Sequence, residues 1–189
     1  ETSTQGLELR RARVIFAGHA FGKDNRLFLQ LGLSPSDVQL SDGRVRRSPL
    51  FDAYLEFTQL RDASLRVGQY RVPFSRQRLM PFGNLAMVDR AAVNFEFSLD
   101  RDQGLSLFSN DLLGLGLLRY QLGAFMGEGR DARAPADMAM LYTGRVELLP
   151  LGLFDDYSEV DLERSQSPRL SLGAGYAFLE RGKVNRGIL

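Results

Sequence analysis

Apolar residues recur at every second position through most of the chain, and few stretches keep a helical period. Such alternation is the mark of β-strands with one buried or lipid-facing side. It predicts a first strand over residues 9–19, with Ala12, Val14 and Phe16 on one face and Arg11, Arg13 and Ile15 on the other. Gly22-Lys23-Asp24-Asn25 reads as a tight turn. A second strand over 26–33 sets Leu27, Leu29, Leu31 and Leu33 against Phe28, Gln30 and Gly32. After a polar loop over 34–49, a third puts Phe51, Ala53, Leu55 and Phe57 opposite Asp52, Tyr54, Glu56 and Thr58. The turn Leu60-Arg61-Asp62 leads to a fourth, with Leu65 and Val67 against Arg66 and Gly68.

Past Tyr70 the pattern breaks over residues 71–101, where at most a short hairpin around 92–99 is expected. Alternation resumes over 103–109 and 115–126; the latter sets Leu118, Tyr120, Leu122, Ala124 and Met126 against Arg119, Gln121 and Gly123. A Gly- and Asp-rich loop over 127–137 precedes a seventh strand at 138–148. The eighth, 169–178, has Leu170, Leu172, Ala174, Tyr176 and Phe178 on one face and Arg169, Ser171, Gly173, Gly175 and Ala177 on the other. The expected fold is all-β, an antiparallel meander of about eight strands in a single domain over residues 1–189.

A soluble sandwich alternates too. Here, however, the face opposite each apolar row is polar or tiny, leaving a second sheet nothing to bury. Several strands reach the roughly 9–11 residues that cross a bilayer at a tilt, and tight turns alternate with long loops, as at the two ends of a transmembrane barrel. Tyr and Phe would have to form the interfacial girdles, since Trp is absent. No apolar run approaches the ~20 residues of a membrane helix. Charges nearly balance, with 24 Lys plus Arg against 23 Asp plus Glu, which excludes the basic balance of a nucleic-acid binder. Cysteine is absent, so there is neither a disulfide framework nor a thiolate metal site.

The polar face collects Arg11, Arg13, Arg66, Arg119, Arg145 and Arg169 against Asp52, Glu56 and Glu147, a cationic surplus on a chain of formal net charge +1. Two readings stand: a ring of guanidiniums lowering the barrier for anions in a narrow pore, or ordinary lumen arginines paired with carboxylates across strands. The 71–101 break carries Arg71, Arg76, Arg78 and Arg90 together with Phe74, Leu79, Met80, Phe82, Leu85 and Met87, residues that seek burial. Long unpatterned segments inside a compact domain tend to be functional. This one either folds into the barrel as a constriction or packs on the rim as a cap.

Gly127-x-Gly129-x-x-Ala132 lacks the following helix of a dinucleotide fingerprint and reads as a loop. The acidic residues Asp155, Asp156, Glu159, Asp161 and Glu163 do not have EF-hand spacing and read as a solvated turn. His19 is the only histidine and stands at a strand end without a Ser or Asp elbow. No catalytic residue, metal ligand or cofactor is assigned.

Several phrases, in order, resemble the family of phosphate-selective porins O and P. They are Arg10-Arg11-Ala12-Arg13, Asp52-Ala53-Tyr54-Leu55, Val67-Gly68-Gln69-Tyr70-Arg71-Val72-Pro73-Phe74, Met87-Val88-Asp89-Arg90, Arg101-Asp102-Gln103-Gly104-Leu105 and Leu118-Arg119-Tyr120. Tyr157-Ser158-Glu159-Val160-Asp161-Leu162-Glu163 and Leu172-Gly173-Ala174-Gly175-Tyr176 extend the likeness, which covers roughly residues 9–178. It implies an outer-membrane barrel of about sixteen strands, of which eight would be about half, and a homotrimer when full length. It also implies passive diffusion of small solutes, anions such as phosphate among them, with membrane lipid as the other partner and no nucleic acid. Two alternatives remain: the same barrel with an occluded lumen serving as a membrane scaffold or anchor, and a soluble β-sheet binding domain.

Overall fold

The computed structural model describes residues 9, 11–41, 44–45, 47–87, 89–97, 99–130, 139–154, 157–161, 164–181 and 184–188. Its centre is one antiparallel sheet whose strands follow chain order. These strands are β1 (Arg13–His19), β2 (Asn25–Gly32), β3 (Leu50–Phe57), β4 (Ser64–Arg71), β5 (Arg101–Ser109), β6 (Leu118–Phe125), β7 (Ala139–Leu148), β8 (Leu172–Arg181) and β9 (Val184–Ile188). The eight strands expected from alternation are all present in meander order, and β9 adds a ninth. Two residues at Leu40–Ser41 pair with Arg44–Val45 in a separate ladder.

Register turns the alternation into two surfaces. Leu27, Leu55, Val67, Leu105, Ala124, Tyr142 and Phe178 lie opposite one another across seven consecutive strands. Leu27, Leu122, Tyr142, Val146, Leu172 and Tyr176 on this face are 43–56% exposed. Contiguous exposed apolar surface of this kind marks contact with a membrane or a partner. Asp52, Glu56, Arg119, Arg145 and Glu147 on the other face are buried, as the phase of the alternation requires.

Phe51 breaks that phase. Gln30 pairs with Asp52 but Leu31 pairs with Leu50, so Phe51 is the extra residue of a β-bulge. It joins Asp52 on the inner side instead of standing in the outer row, and three guanidiniums, of Arg13, Arg101 and Arg130, lie 4.1–4.7 Å from its ring centre. Gln69 donates from Nε2 to the carbonyls of Leu50 and Phe51, which supplies hydrogen bonds that the bulge withholds from the ladder.

The inner face is not wholly polar either, contrary to expectation. Tyr70, Val72, Phe125, Leu141 and Ala177 form a buried cluster there, with Tyr54, Phe74, Leu99 and Leu179 packed on it. Phe28 stacks on Tyr54 at 5.1 Å, and Tyr70 meets Phe125 edge-on at 5.4 Å. The Phe125 ring lies over Gly104 and Gly123, where a Cβ would overlap it. What covers the cluster is the segment between β4 and β5, not a second sheet. That segment holds two short helices, α1 (Arg76–Leu79) and α2 (Ala92–Glu96). The expected hairpin around 92–99 is therefore a helical turn. Met138, Asp155, Asp156, Glu163 and most of the loop before β7 lie outside the described residues.

Gly68 illustrates how closely β3 and β4 approach. Its φ is +136°, and an added Cβ would overlap the Ala53 carbonyl oxygen. Gly68→Ala is expected to cost roughly 2–4 kcal/mol, whereas Gly18→Ala, with open space around it, should stay within about 0.5 kcal/mol. Urea unfolding in detergent, followed by tyrosine fluorescence, checks the contrast.

Candidate functional site

Cross-strand register builds the polar part of the inner face. Arg26, Glu56 and Arg66 are direct neighbours on β2, β3 and β4. Glu56 accepts from Nε and Nη2 of Arg66, and Nη1 of Arg26 approaches its other oxygen at 3.5 Å. On the far side Arg119 faces Glu147, which also takes Nη2 of Arg145 and the Tyr157 hydroxyl at 2.9 Å. Between these two groups lies a cavity of about 610 Å³, with Leu79 and Pro81 on its wall. Arg66 has the cross-strand carboxylate partner that one of the two readings expects, whereas the carboxylates of Arg13 and Arg145 lie in a connection and on the same strand. Arg13 bonds Asp37 at 3.0 Å, and each of the other two shares a glutamate.

The described residues of 72–100 lie along the same face, and arginines fasten them. Arg71 donates from one nitrogen to the carbonyls of Arg78, Leu79 and Met80 at 3.0–3.2 Å. Arg90 bonds the carbonyls of Gln77 and Met80. Arg145 reaches the Phe74 carbonyl at 2.7 Å, and this approach runs over Gly175, where a Cβ would stand 3.2 Å from the same oxygen. Further along the segment the Phe82 ring lies under Arg11 at 3.9 Å and Arg90 at 4.0 Å. Arg11 also pairs with Asp89, and Arg78 with Asp100. Burial, and then the charges of Arg78, Arg101 and Arg11, pull Arg90 down to about 10. Crowded cations with carbonyl partners behave so.

A second segment arrives from the opposite end. The β7–β8 connection passes Arg119, which donates to the Phe154 carbonyl at 2.6 Å. It then meets the first segment. Glu159 accepts from the Gln77 side chain and the Ala86 N–H, while its own N–H donates to the Asn84 carbonyl at 2.9 Å. Those bonds, the Gln77 amide's first, hold the Glu159 carboxyl below its ordinary range. Arg76 and Arg169 line a further cavity of about 360 Å³ beside this contact. Arg169 precedes β8 rather than lying within it.

A family model described as phosphate-selective porin O and P matches residues 1–151. The chain belongs to this family. No curated protein and no solved structure matches it. Phosphate-selective porins are channels of the outer membrane, and the outward apolar rows suit that membership. The phrases around 157–163 and 172–176 lie beyond the matched residues.

Within the porin, the family-like phrases converge. Asp52 takes a two-pronged bond from Arg101 at 2.9 and 3.0 Å. Asp102 accepts from the Gly127 N–H, and Gln103 reaches Gln69. Arg71 and Arg90 hold the crossing segment. Of these phrases, the two holding Arg71 and Arg90 supply bonds to the crossing segment. Sequence reasoning missed Arg26, Arg101 and Asp37. The parity of Leu27, Leu29 and Leu31 turns Arg26 inward and was signal enough; Arg101 and Asp37 meet their partners only through the fold.

Both partners of the Asp52–Arg101 pair are buried, so removing one strands the other's charge. Asp52→Ala is expected to cost about 3–5 kcal/mol, and Asp52→Ala with Arg101→Met to recover most of it. Urea midpoints of the three proteins measure this.

Proposed function

We propose that the porin is a passive diffusion channel of the bacterial outer membrane for small anions, phosphate among them, with residues 72–100 as its constriction. The observation that carries this reading is the crossing segment itself, bonded to Arg11 ahead of β1, Arg71 of β4 and Arg145 of β7. A wide lumen screens charge within about 8 Å at physiological salt. Only a narrow, partly dry passage lets a few guanidiniums bias permeation. There an anion 4 Å from one gains about 4 kcal/mol, against ~1 in bulk water. The preference is weak, because Glu56 and Glu147 offset the four arginines of the central cavity. In this reading the nine strands belong to a barrel of about sixteen, three copies assemble as a trimer, and no cofactor takes part.

The contact between the two segments favours one competitor, a barrel with an occluded lumen acting as scaffold or anchor. Planar-bilayer recording of the full-length protein separates them. A folded protein without conductance supports the scaffold. A channel in a KCl gradient should show a modest chloride preference, and Arg26→Glu combined with Arg76→Glu should move the reversal potential toward cation preference. An unchanged potential puts both residues outside the conduction path.

The Glu159 contact adds a pH dependence. A depressed carboxyl keeps its stabilising bonds at neutral pH and loses them as pH falls through its lowered value. Conductance should therefore rise in acid only below about 4.5, the ordinary glutamate value. Glu159→Gln should remove that step; a step surviving in the variant refutes the role of this contact.

A further inference from the structure

Resting on the channel reading, we propose that Arg66 passes permeating phosphate between two cavities of the inner face, and that Glu56 is a tethered counter-anion which the phosphate displaces from it.

Beside the central cavity lies a second, of about 570 Å³, whose wall includes Arg13 and Arg71. The central cavity has guanidiniums of its own, those of Arg26, Arg119 and Arg145. Four side chains line both spaces: Tyr54 and Arg66 from the sheet, and Leu79 and Pro81 from the crossing segment. These four form the boundary between the cavities, and Arg66 is the charged one among them. The side chains of Leu79 and Pro81 offer no hydrogen bond. An oxyanion that leaves one group of arginines for the other therefore has Arg66 as its donor at the boundary.

Three rings hold Arg66 there, with Tyr54, Tyr70 and Phe108 centred 4.9–5.1 Å from its guanidinium carbon. Its Nε and Nη2 both donate to Oε1 of Glu56. That edge of the guanidinium is the one that matches an oxyanion in two-pronged fashion, so phosphate and Glu56 compete for the same donors. Glu56 has a second place to turn. Its other oxygen already stands 3.5 Å from Nη1 of Arg26, whose side chain is 65% exposed. As phosphate reaches Arg66, Glu56 shifts its bonds to Arg26; as Glu56 returns, it expels the phosphate. Conduction needs binding strong enough for entry and weak enough for release, and a competing carboxylate on the protein supplies the second half. Glu147 differs in position. It bonds Arg145 and Tyr157 and lines the central cavity but not the second one.

The test is single-channel current through the full-length protein, carried by potassium phosphate and followed against concentration. Arg66→Gln should raise the half-saturating concentration about tenfold, the scale of a lost charged hydrogen bond. Glu56→Gln, which removes the competitor, should lower it about tenfold and lower the maximum current as well, because phosphate leaves more slowly. Glu147→Gln removes the same charge from the central cavity alone. It should move the reversal potential in the same direction as Glu56→Gln but change half-saturation less than threefold. Should Arg66→Gln fail to fold with Glu56 buried and unpaired, Arg66→Gln combined with Glu56→Gln takes its place, with the same raised requirement expected. Equal effects of Glu56→Gln and Glu147→Gln on half-saturation, or an unchanged requirement without Arg66, overturn this proposal alone. A folded protein that carries no phosphate current overturns it together with the channel reading.

Discussion

An arginine turned into a confined interior must find oxygen, and this requirement organises the inner half of the molecule. Carboxylates on the strands meet part of it, Glu56 shared by Arg26 and Arg66 of the strands on either side, and Glu147 shared by Arg119 of the adjacent strand and Arg145 of its own. Backbone carbonyls meet the rest. Arg71, Arg90 and Arg145 together take carbonyl oxygens from Phe74, Gln77, Arg78, Leu79 and Met80. Satisfying these cations therefore means drawing a chain segment across the sheet. The same side chains that make the lumen cationic also determine how far it is filled.

In the channel reading, that arrangement couples strength to selectivity. Guanidiniums bonded to carbonyls keep their charge, so the fastening network contributes a positive field without losing its grip on the segment. Those bonded to carboxylates contribute little net field and fix geometry instead. Phe51 and Phe82 stand among clustered arginines and supply the remaining stabilisation through cation–π contact, worth on the order of 0.5–2 kcal/mol each. The bulge that turns Phe51 inward is thus part of the same device. A strand in regular register would have left that ring in the outer row.

The strands were legible because an exposed apolar face on one side and a largely polar inner face on the other impose a period of two, and that period survives in residues such as Leu27, Leu55, Val67 and Leu122. What escaped was whatever depends on tertiary register or on breaking that period. The bulge at Phe51 looks like ordinary alternation in the one-dimensional sequence. The apolar inner cluster of Tyr70, Phe125 and Leu141 is split over three strands, each contributing one ring or branch to a face that otherwise reads as polar or small. The helix at Ala92–Glu96 was too short to have a period of its own. The arginines of the site were mostly visible as inward residues, but their partners were not. Asp37, Phe74 and Asp100 sit in connections, and only folding brings them within reach.

The central claim is that residues 72–100 stand in the conduction path. These 189 residues hold no cysteine, so once any thiol elsewhere in the full-length protein is replaced by serine, a single engineered one reports without background. The most direct measurement is single-channel current through the full-length Leu79→Cys protein before and after a bulky cationic methanethiosulfonate reagent. A stepwise fall in current on labelling is the predicted result. Complete labelling, verified by mass, with the current unchanged would contradict the account.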